Sequence, residues 1–307
     1  MDGVCGRGGV VANKFSHFTH STGLESGSLS QETAPTMNEP EDGRFAGVAR
    51  LCGAEGLARL RRAHVAIVGL GGVGSWAVEA LARSGIGALT LVDLDEVCVT
   101  NINRQIHALE DTVGRAKVAV MAERVRSINP DCRVTAVQAF FTEANGETLL
   151  EAFAAGRSAG AWHVVDAIDS VTHKTLLIAL CRQRGIPLVV CGGAGGRRDA
   201  TAVRMADLAD ASHDRLLTAV RRRLRAEHGF PAAGHRMGVA CIYSPETPVP
   251  PEKPATDCVG TGAEITREPV RLNCDSGYGS AVFVTGTFGF AAAAQVTRSI
   301  VGEAGVG

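Results

Sequence analysis

The sequence is short of lysine, of an excess of either charge, and of paired cysteines. Only four of its 31 cationic side chains are lysines, so each lysine draws attention. With a net charge of −1, the molecule as a whole does not attract a polyanion, although a local basic surface remains an alternative. The nine cysteines include no C-x-x-C pair, which argues against a disulfide framework and against zinc and predicts a protein of the reducing cytoplasm.

A long apolar run is also lacking. No basic segment followed by an apolar one opens the chain, so we expect no secretory signal. Residues 280–296 (SAVFVTGTFGFAAAAQV) carry no charge, but they fall short of the roughly 20 apolar residues that a membrane span needs. We predict a buried helix there and keep membrane association through this segment as the alternative.

Two regions of different character divide the chain. Residues 1–42 are rich in Gly, Ser, Thr, Asn and Glu without apolar periodicity, which predicts a disordered tail. Over residues 43–307, predicted strands alternate with predicted helices, a pattern typical of a doubly wound, mainly parallel α/β sheet. Loops dominate beyond residue 200, so we expect one domain with a loop-rich C-terminal part that faces the substrate.

A glycine-rich loop separates a predicted strand from a predicted helix. The segment GLGGVG contains Gly69, Gly71, Gly72 and Gly74. Glycines in this setting let the backbone approach phosphates, and the helix N-terminus offers free N–H groups. Asp93 ends the next strand, where a carboxylate accepts hydrogen bonds from ribose hydroxyls. The pattern suits the adenosine of NAD and of ATP equally, and a tight turn without a ligand remains open.

Amides and cations follow this strand closely. They are Asn101, Asn103, Arg104, Gln105 and Lys117. A hydride-transfer enzyme needs no such cluster, whereas an enzyme that cleaves a triphosphate uses cations to neutralise the charge on leaving pyrophosphate. The cluster therefore favours consumption of ATP. The alternatives are a solvated loop charge for Arg104 and an exposed helix residue for Lys117.

The glycine loop, a strand-end Asp, N-x-x-R-Q and a helix-start Lys together resemble the E1-like adenylate-forming family (ThiF, MoeB and HesA). Members of that family activate carboxylates with ATP. The resemblance implies that Asp93, with Asp95 beside it, binds the ribose. It also implies that Asn101, Arg104 and Lys117 bind the phosphates, with the two cations acting in catalysis.

The same resemblance implies a metal ion and a second subunit. Asp169, in VVDAIDS, is expected to bind Mg²⁺ near the phosphates and so to take part in catalysis. A carboxylate suits that cation, which keeps most of its waters, and a helix N-cap is the alternative role for Asp169. In dimers of the family an arginine near the start of the chain reaches the ATP of the partner subunit. We therefore expect a homodimer in which Arg44 or Arg50 does so.

Several later motifs narrow the resemblance. They are AIDSV, GGAGG, MGVACIYS and NCDSGYGSAVFVTGTFGF. They look like the branch of the family that dehydrates N6-threonylcarbamoyladenosine, the base 3′ to the anticodon in tRNA. That branch implies cyclisation of the modification through adenylation of its threonyl carboxylate, with release of AMP and pyrophosphate. Three alternatives stay open: an activator of a ubiquitin-like or sulfur-carrier protein, an NAD-dependent oxidoreductase, and a nonenzymatic tRNA-binding or sulfur-relay scaffold.

Other residues carry weaker signals. Cys241, in GVACIYS, is a candidate thiol that takes the acyl group from AMP or accepts sulfur from a cysteine desulfurase system. A small buried hydrophobe is the alternative. Arg221, Arg222 and Arg223 lie on a predicted basic helix, where arginines contact tRNA phosphates or form a solvated face. The motif GGAGGRRD places two further arginines beside a glycine turn that we expect to border the substrate entrance. His107 is a candidate general base.

Overall fold

The computed structural model describes residues 43–155, 160–251 and 278–302. All of them belong to one unit of the chain, Glu39–Gly307. The predicted disordered tail, residues 1–42, lies outside the described residues, as do most of the Pro-rich loop and the motif NCDSG.

One seven-stranded sheet runs through this unit in the order β3-β2-β1-β4-β5-β7-β6. Its strands are β1 His64–Val68, β2 Ala88–Val92, β3 Arg133–Val137, β4 Trp162–Asp166, β5 Leu188–Cys191, β6 Arg204–Asp207 and β7 Ala240–Tyr243. Neighbouring strands pair in parallel except β6, which pairs antiparallel with β7 at one edge. The predicted fold class is confirmed.

Helices follow most of the strands. They are α1 Ala46–Arg62, α2 Gly74–Arg83, α3 Lys117–Ile128, α4 Gly146–Ala155, α5 Val171–Gln183, α6 Arg215–Glu227 and α7 Val282–Val301. The short helix α4 and the strands β6 and β7, of four residues each, are elements that the sequence pattern does not predict.

Both faces of the central strands are covered. Val65 and Ile67 of β1 pack into an apolar cluster with α2, α3 and α7, whereas Ala66 and Val68 pack with α4 and α5. All five residues of β1 are buried, which explains why the strand reads as a continuous apolar run rather than an alternating one.

Helix α7 is part of the core. Val284, Phe288, Ala292 and Val296 are fully buried and recur every four residues, so one stripe of the helix faces the interior. The prediction of a buried helix over residues 280–296 is confirmed. Among the described residues, no helix has both the length and the apolar character that crossing a membrane requires.

Close contact between α2 and α7 depends on Gly289. A Cβ atom there would lie 2.5 Å from the Val73 carbonyl oxygen and 2.7 Å from Trp76 Cβ. One turn away, a Cβ at Gly286 would meet the Trp76 ring at an ordinary 3.7 Å. The two positions therefore form a matched pair on one helix.

We predict that Gly289→Ala lowers the free energy of unfolding by about 1–3 kcal/mol, because an added methyl group must force the helices apart. Gly286→Ala should be neutral or should raise it by up to about 1 kcal/mol, since alanine is the better helix former. Denaturant titration followed by circular dichroism measures both. Equal stability of the two variants would contradict the packing described here.

Candidate active site

The carboxyl ends of β2, β1 and β4 lie side by side in the sheet. The loops that leave these ends are residues 69–73, 93–116 and 167–170. In open α/β sheets, the crevice outside the carboxyl ends of the strands is where ligands bind. Nearly all the residues that the sequence singles out for nucleotide binding come from these three loops.

The glycine loop is tight toward the sheet and open toward solvent. Gly69 has φ +93°, and a Cβ atom there would lie 2.8 Å from the Ala167 carbonyl oxygen. A Cβ at Gly74 would overlap the Gly69 carbonyl oxygen, whereas a Cβ at Gly71 would meet nothing within 4 Å. The open space at Gly71, just before α2, can therefore receive a phosphate.

Asp93 joins the glycine loop to the end of β2. Its carboxylate accepts a hydrogen bond from the Leu70 amide at 2.6 Å and another from the Asp95 amide at 2.8 Å. Burial raises the pKa of Asp93, and the positive charge of Lys117 counteracts that rise. Because each carboxylate oxygen has a second lone pair, Asp93 can still accept hydrogen bonds from ribose hydroxyls.

Lys117 begins α3 with its ammonium group beside the same strand end. The Lys117 Nζ lies 2.8 Å from Asp95 Oδ2, and its amide donates to the Asp95 carbonyl oxygen at 3.0 Å. The Lys117 side chain is only 5% exposed, whereas that of Asp95 is 50% exposed. A role for Lys117 in binding phosphate is thus compatible with the structure. The alternative, that Lys117 is an exposed residue on the helix surface, is wrong, because its side chain is buried.

Arg104 lies over the glycine loop. Its Cγ is 3.3 Å from the position that a Cβ of Gly72 would take. The Arg104 Nη1 donates to the Thr100 carbonyl oxygen at 2.6 Å and to Asn103 Oδ1 at 3.0 Å, and the Arg104 carbonyl accepts from Trp76 Nε1 at 2.9 Å. These contacts fix the Arg104 side chain where it packs against the loop at Gly72.

Asn101 shapes the turn that carries Arg104. It is buried, and its Oδ1 accepts a hydrogen bond from the Cys98 amide at 3.1 Å. Its carbonyl accepts from the amides of Arg104 and Gln105 at 3.0 and 2.9 Å. The structure therefore gives Asn101 a role in forming this turn, beside the phosphate contact that the resemblance implies.

Asp169 follows β4 with an exposed side chain. The protein around it raises its pKa mainly by displacing water, and the negative charge of Asp95 adds to that rise. Lys174 and Lys117 counteract the rise. Asp169 therefore lies within the electrostatic reach of Asp95 and Lys117, which follow β2 on the other side of β1.

The structure contains a buried ion pair close to Asp169 that the sequence did not predict. Lys174 Nζ lies 2.8 Å from Asp166 Oδ1, and both side chains are 0% exposed. The same carboxylate accepts the Ile168 amide at 3.0 Å, so the pair holds the turn between β4 and Asp169. The scarcity of lysine was the available signal, because Lys174 is one of only four lysines in the sequence.

Cys241 and His107 lie in the interior. Cys241 is fully buried in β7, and burial, with smaller effects from Asp214 and Cys191, raises the pKa of its thiol well above the ordinary value. This position favours the small buried hydrophobe over a nucleophile. His107 is 1% exposed, and burial, with smaller effects from Lys117 and others, lowers its pKa to about 3, so its ring is neutral near pH 7.

The three consecutive arginines of α6 do not share one face. Successive helical residues point about 100° apart. Arg221 donates to the Ala211 carbonyl oxygen at 2.6 Å, and Arg223 pairs with Glu227 at 2.7 Å. Arg222 is exposed. Of the three arginines expected to contact tRNA, Arg221 and Arg223 thus bond to other groups of the chain, whereas Arg222 points outward.

Comparison with known proteins agrees with this fold. The chain belongs to the ThiF family, whose profile matches residues 45–306. It is 49% identical over 263 residues to the tRNA threonylcarbamoyladenosine dehydratase of Escherichia coli (strain K12), covering 85% of this chain and 94% of the relative. Crystal structures of the E. coli tRNA N6-threonylcarbamoyladenosine dehydratase with ATP and with AMP match at TM-scores of 0.72 and 0.73. Both are 45% identical in sequence, and each match covers 85% of this chain and 95% of the E. coli chain.

We predict that Gly71→Ala weakens ATP binding by about tenfold or more, because its methyl group would occupy the space that a phosphate needs. Its free energy of unfolding should stay unchanged, since none of the described protein atoms lies within 4 Å of that methyl position. Gly47→Ala, equally unobstructed but on α1, is the matched control. Calorimetric titration with ATP measures the effect, and undiminished affinity in Gly71→Ala would exclude this loop as the phosphate site.

Proposed function

We propose that this protein uses ATP to dehydrate N6-threonylcarbamoyladenosine in tRNA to its cyclic form. The observation that carries the proposal is that Asp93 is hydrogen-bonded to the open glycine loop, with Arg104 packed against Gly72 and the charge of Lys117 acting on Asp93. The relation to the E. coli dehydratase supports the choice of substrate, because the alignment spans 94% of that enzyme.

The chemistry overcomes a poor leaving group. The threonyl carboxylate is unreactive because an oxide-like oxygen leaves badly. Attack of a carboxylate oxygen on the α-phosphorus of ATP forms an acyl-adenylate and expels pyrophosphate. A neighbouring atom of the carbamoyl group then attacks the acyl carbon, loses its proton and expels AMP, which closes a five-membered ring. Because the attack is intramolecular, the enzyme needs chiefly to position the groups and stabilise charge.

Each residue at the strand ends has a role in this scheme. Arg104 and Lys117 neutralise the charge that develops on pyrophosphate as it departs. Asp93 accepts hydrogen bonds from the ribose, and the glycine loop leaves space for the phosphates at Gly71. Asp95 holds the Lys117 ammonium in position through their 2.8 Å contact.

The donor chemistry at the end of β4 fits Mg²⁺. Asp169 offers an exposed carboxylate within the electrostatic reach of Asp95. Mg²⁺ is usually held by one or two carboxylates together with substrate phosphates and water, which agrees with the lack of any three-residue cluster of His, Cys, Asp or Glu among the described residues. When bound, the ion would neutralise phosphate charge, and Asp169 would orient it.

We further propose a homodimer. Phe283 and Phe290 lie seven residues apart on one side of α7 and are 56% and 48% exposed, so they offer an apolar surface for a second subunit. Arg50 is exposed on α1, and Arg44 donates to the Ile128 carbonyl oxygen at 2.7 Å. Both arginines are exposed, as the proposed contact with a partner's ATP requires. Sulfur transfer from a cysteine desulfurase gains no support from Cys241, because its thiol is buried.

We predict that Arg104→Ala and Lys117→Ala each reduce formation of AMP from ATP and modified tRNA by about 10²–10³-fold, because each removes a cation that acts on the leaving pyrophosphate. Arg61→Ala removes an exposed arginine from α1 and serves as the control. Chromatographic separation of labelled AMP, together with mass analysis of tRNA nucleosides, measures both products. Normal cyclisation by folded Arg104→Ala and Lys117→Ala would refute the proposed roles.

A further inference from the structure

A cavity separate from the candidate active site lies beside the start of α6. Its volume is about 450 Å³, within the range of small-ligand sites. The lining residues that matter here are His213, Arg215, Thr218, Arg222 and Tyr278. The lining comes from α6, the loop before it, residues 247–248 after β7 and Tyr278, and it includes no residue of the glycine loop. The proposed mechanism does not use this cavity.

The charges on the cavity wall are mainly positive. Arg215 and Arg222 are exposed, and their seven-residue spacing places them on one face of α6 about two turns apart. The acidic residue in the lining, Asp214, is already engaged. Its carboxylate accepts hydrogen bonds from the amides of Gly193 and Leu217 at 2.8 and 2.9 Å.

A buried arginine strengthens this potential. Arg197 is only 4% exposed, and its Nη2 donates to the carbonyl oxygen of His213, a lining residue, at 2.7 Å. Its Nε and Nη1 atoms are buried without a hydrogen-bond partner within the described ranges. Since buried polar groups are normally satisfied, these two donors leave room for an acceptor beside the cavity wall.

A short segment connects the cavity to the candidate active site. Tyr278 lines the cavity, and two residues later the Ser280 carbonyl accepts a hydrogen bond from Asn103 Nδ2 at 3.0 Å. Asn103 Oδ1 in turn accepts from Arg104. The segment that lines the cavity is thus bonded to the loop that carries Arg104.

We propose that this cavity binds the purine nucleotide of a single-stranded RNA loop that carries the reacting carboxylate. The base stacks on Tyr278, and Arg215 and Arg222 contact the flanking phosphates. This inference rests on the proposed function and adds the place where the RNA substrate is held. Unpaired bases are recognised in this way, by aromatic stacking together with arginine contacts to the backbone.

The test uses the full chain with an anticodon stem-loop RNA that bears threonylcarbamoyladenosine. Arg215→Ala/Arg222→Ala should weaken RNA binding at least tenfold and flatten its salt dependence, because fewer counterions are released. Tyr278→Ala should weaken binding about 5- to 150-fold, the usual contribution of one stacked base, and Tyr278→Phe should restore it. Arg61→Ala/Arg126→Ala, which removes two exposed arginines from α1 and α3, is the control of equal charge. ATP affinity is measured for each variant.

The outcomes separate the two proposals. Weaker RNA binding with unchanged ATP affinity, and rescue by Tyr278→Phe, would support the cavity as the nucleotide site. Wild-type cyclisation activity together with unchanged RNA affinity in folded cavity variants would overturn this inference alone. A wild-type protein that binds neither the modified RNA nor ATP would overturn the proposed function and the inference with it.

Discussion

The hydrogen bond from the Leu70 amide to the Asp93 carboxylate, 2.6 Å long, is the contact on which the candidate active site depends. It joins the glycine loop after β1 to the end of β2, so the elements proposed to hold phosphates and ribose have one fixed geometry. Lys117, which is paired with Asp95, also lies close enough to Asp93 to counteract the rise that burial causes in the Asp93 pKa. A loop with so many glycines would otherwise lose much conformational entropy when a ligand binds.

The other side of the site is fixed by a different kind of contact. The Lys174–Asp166 pair is fully buried, and breaking such a pair by removing one partner costs about 3–5 kcal/mol. Replacing both partners with apolar residues is often neutral, so the pair is weak evidence for stability. Its positional effect is clearer, because the Asp166 carboxylate also fixes the Ile168 amide just before Asp169. The proposed metal-binding carboxylate thus projects from an ordered turn.

Local sequence patterns sufficed where a residue's environment is set by its own element. The apolar run HVAIV predicted β1, and the structure accounts for this run because both faces of the strand are covered. The glycine loop was predicted from its place between a strand and a helix. The strands β6 and β7 escaped prediction because they lie beyond residue 200, where loops obscure the alternation of strands and helices. Side-chain contacts between different elements were also not predicted. Arg221 donates to carbonyl groups on the loop before α6, and Asp166 and Lys174 meet because β4 turns directly into α5.

The transfer of a carboxylate oxygen to AMP tests the central claim most directly. Modified tRNA labelled with ¹⁸O in the threonyl carboxylate can be turned over with unlabelled ATP in unlabelled water, and the nucleotide products analysed by mass spectrometry. If the carboxylate is adenylated, one heavy oxygen appears in AMP and none in pyrophosphate. Unlabelled AMP, or heavy oxygen found in inorganic phosphate beside ADP, would contradict adenylation at this site.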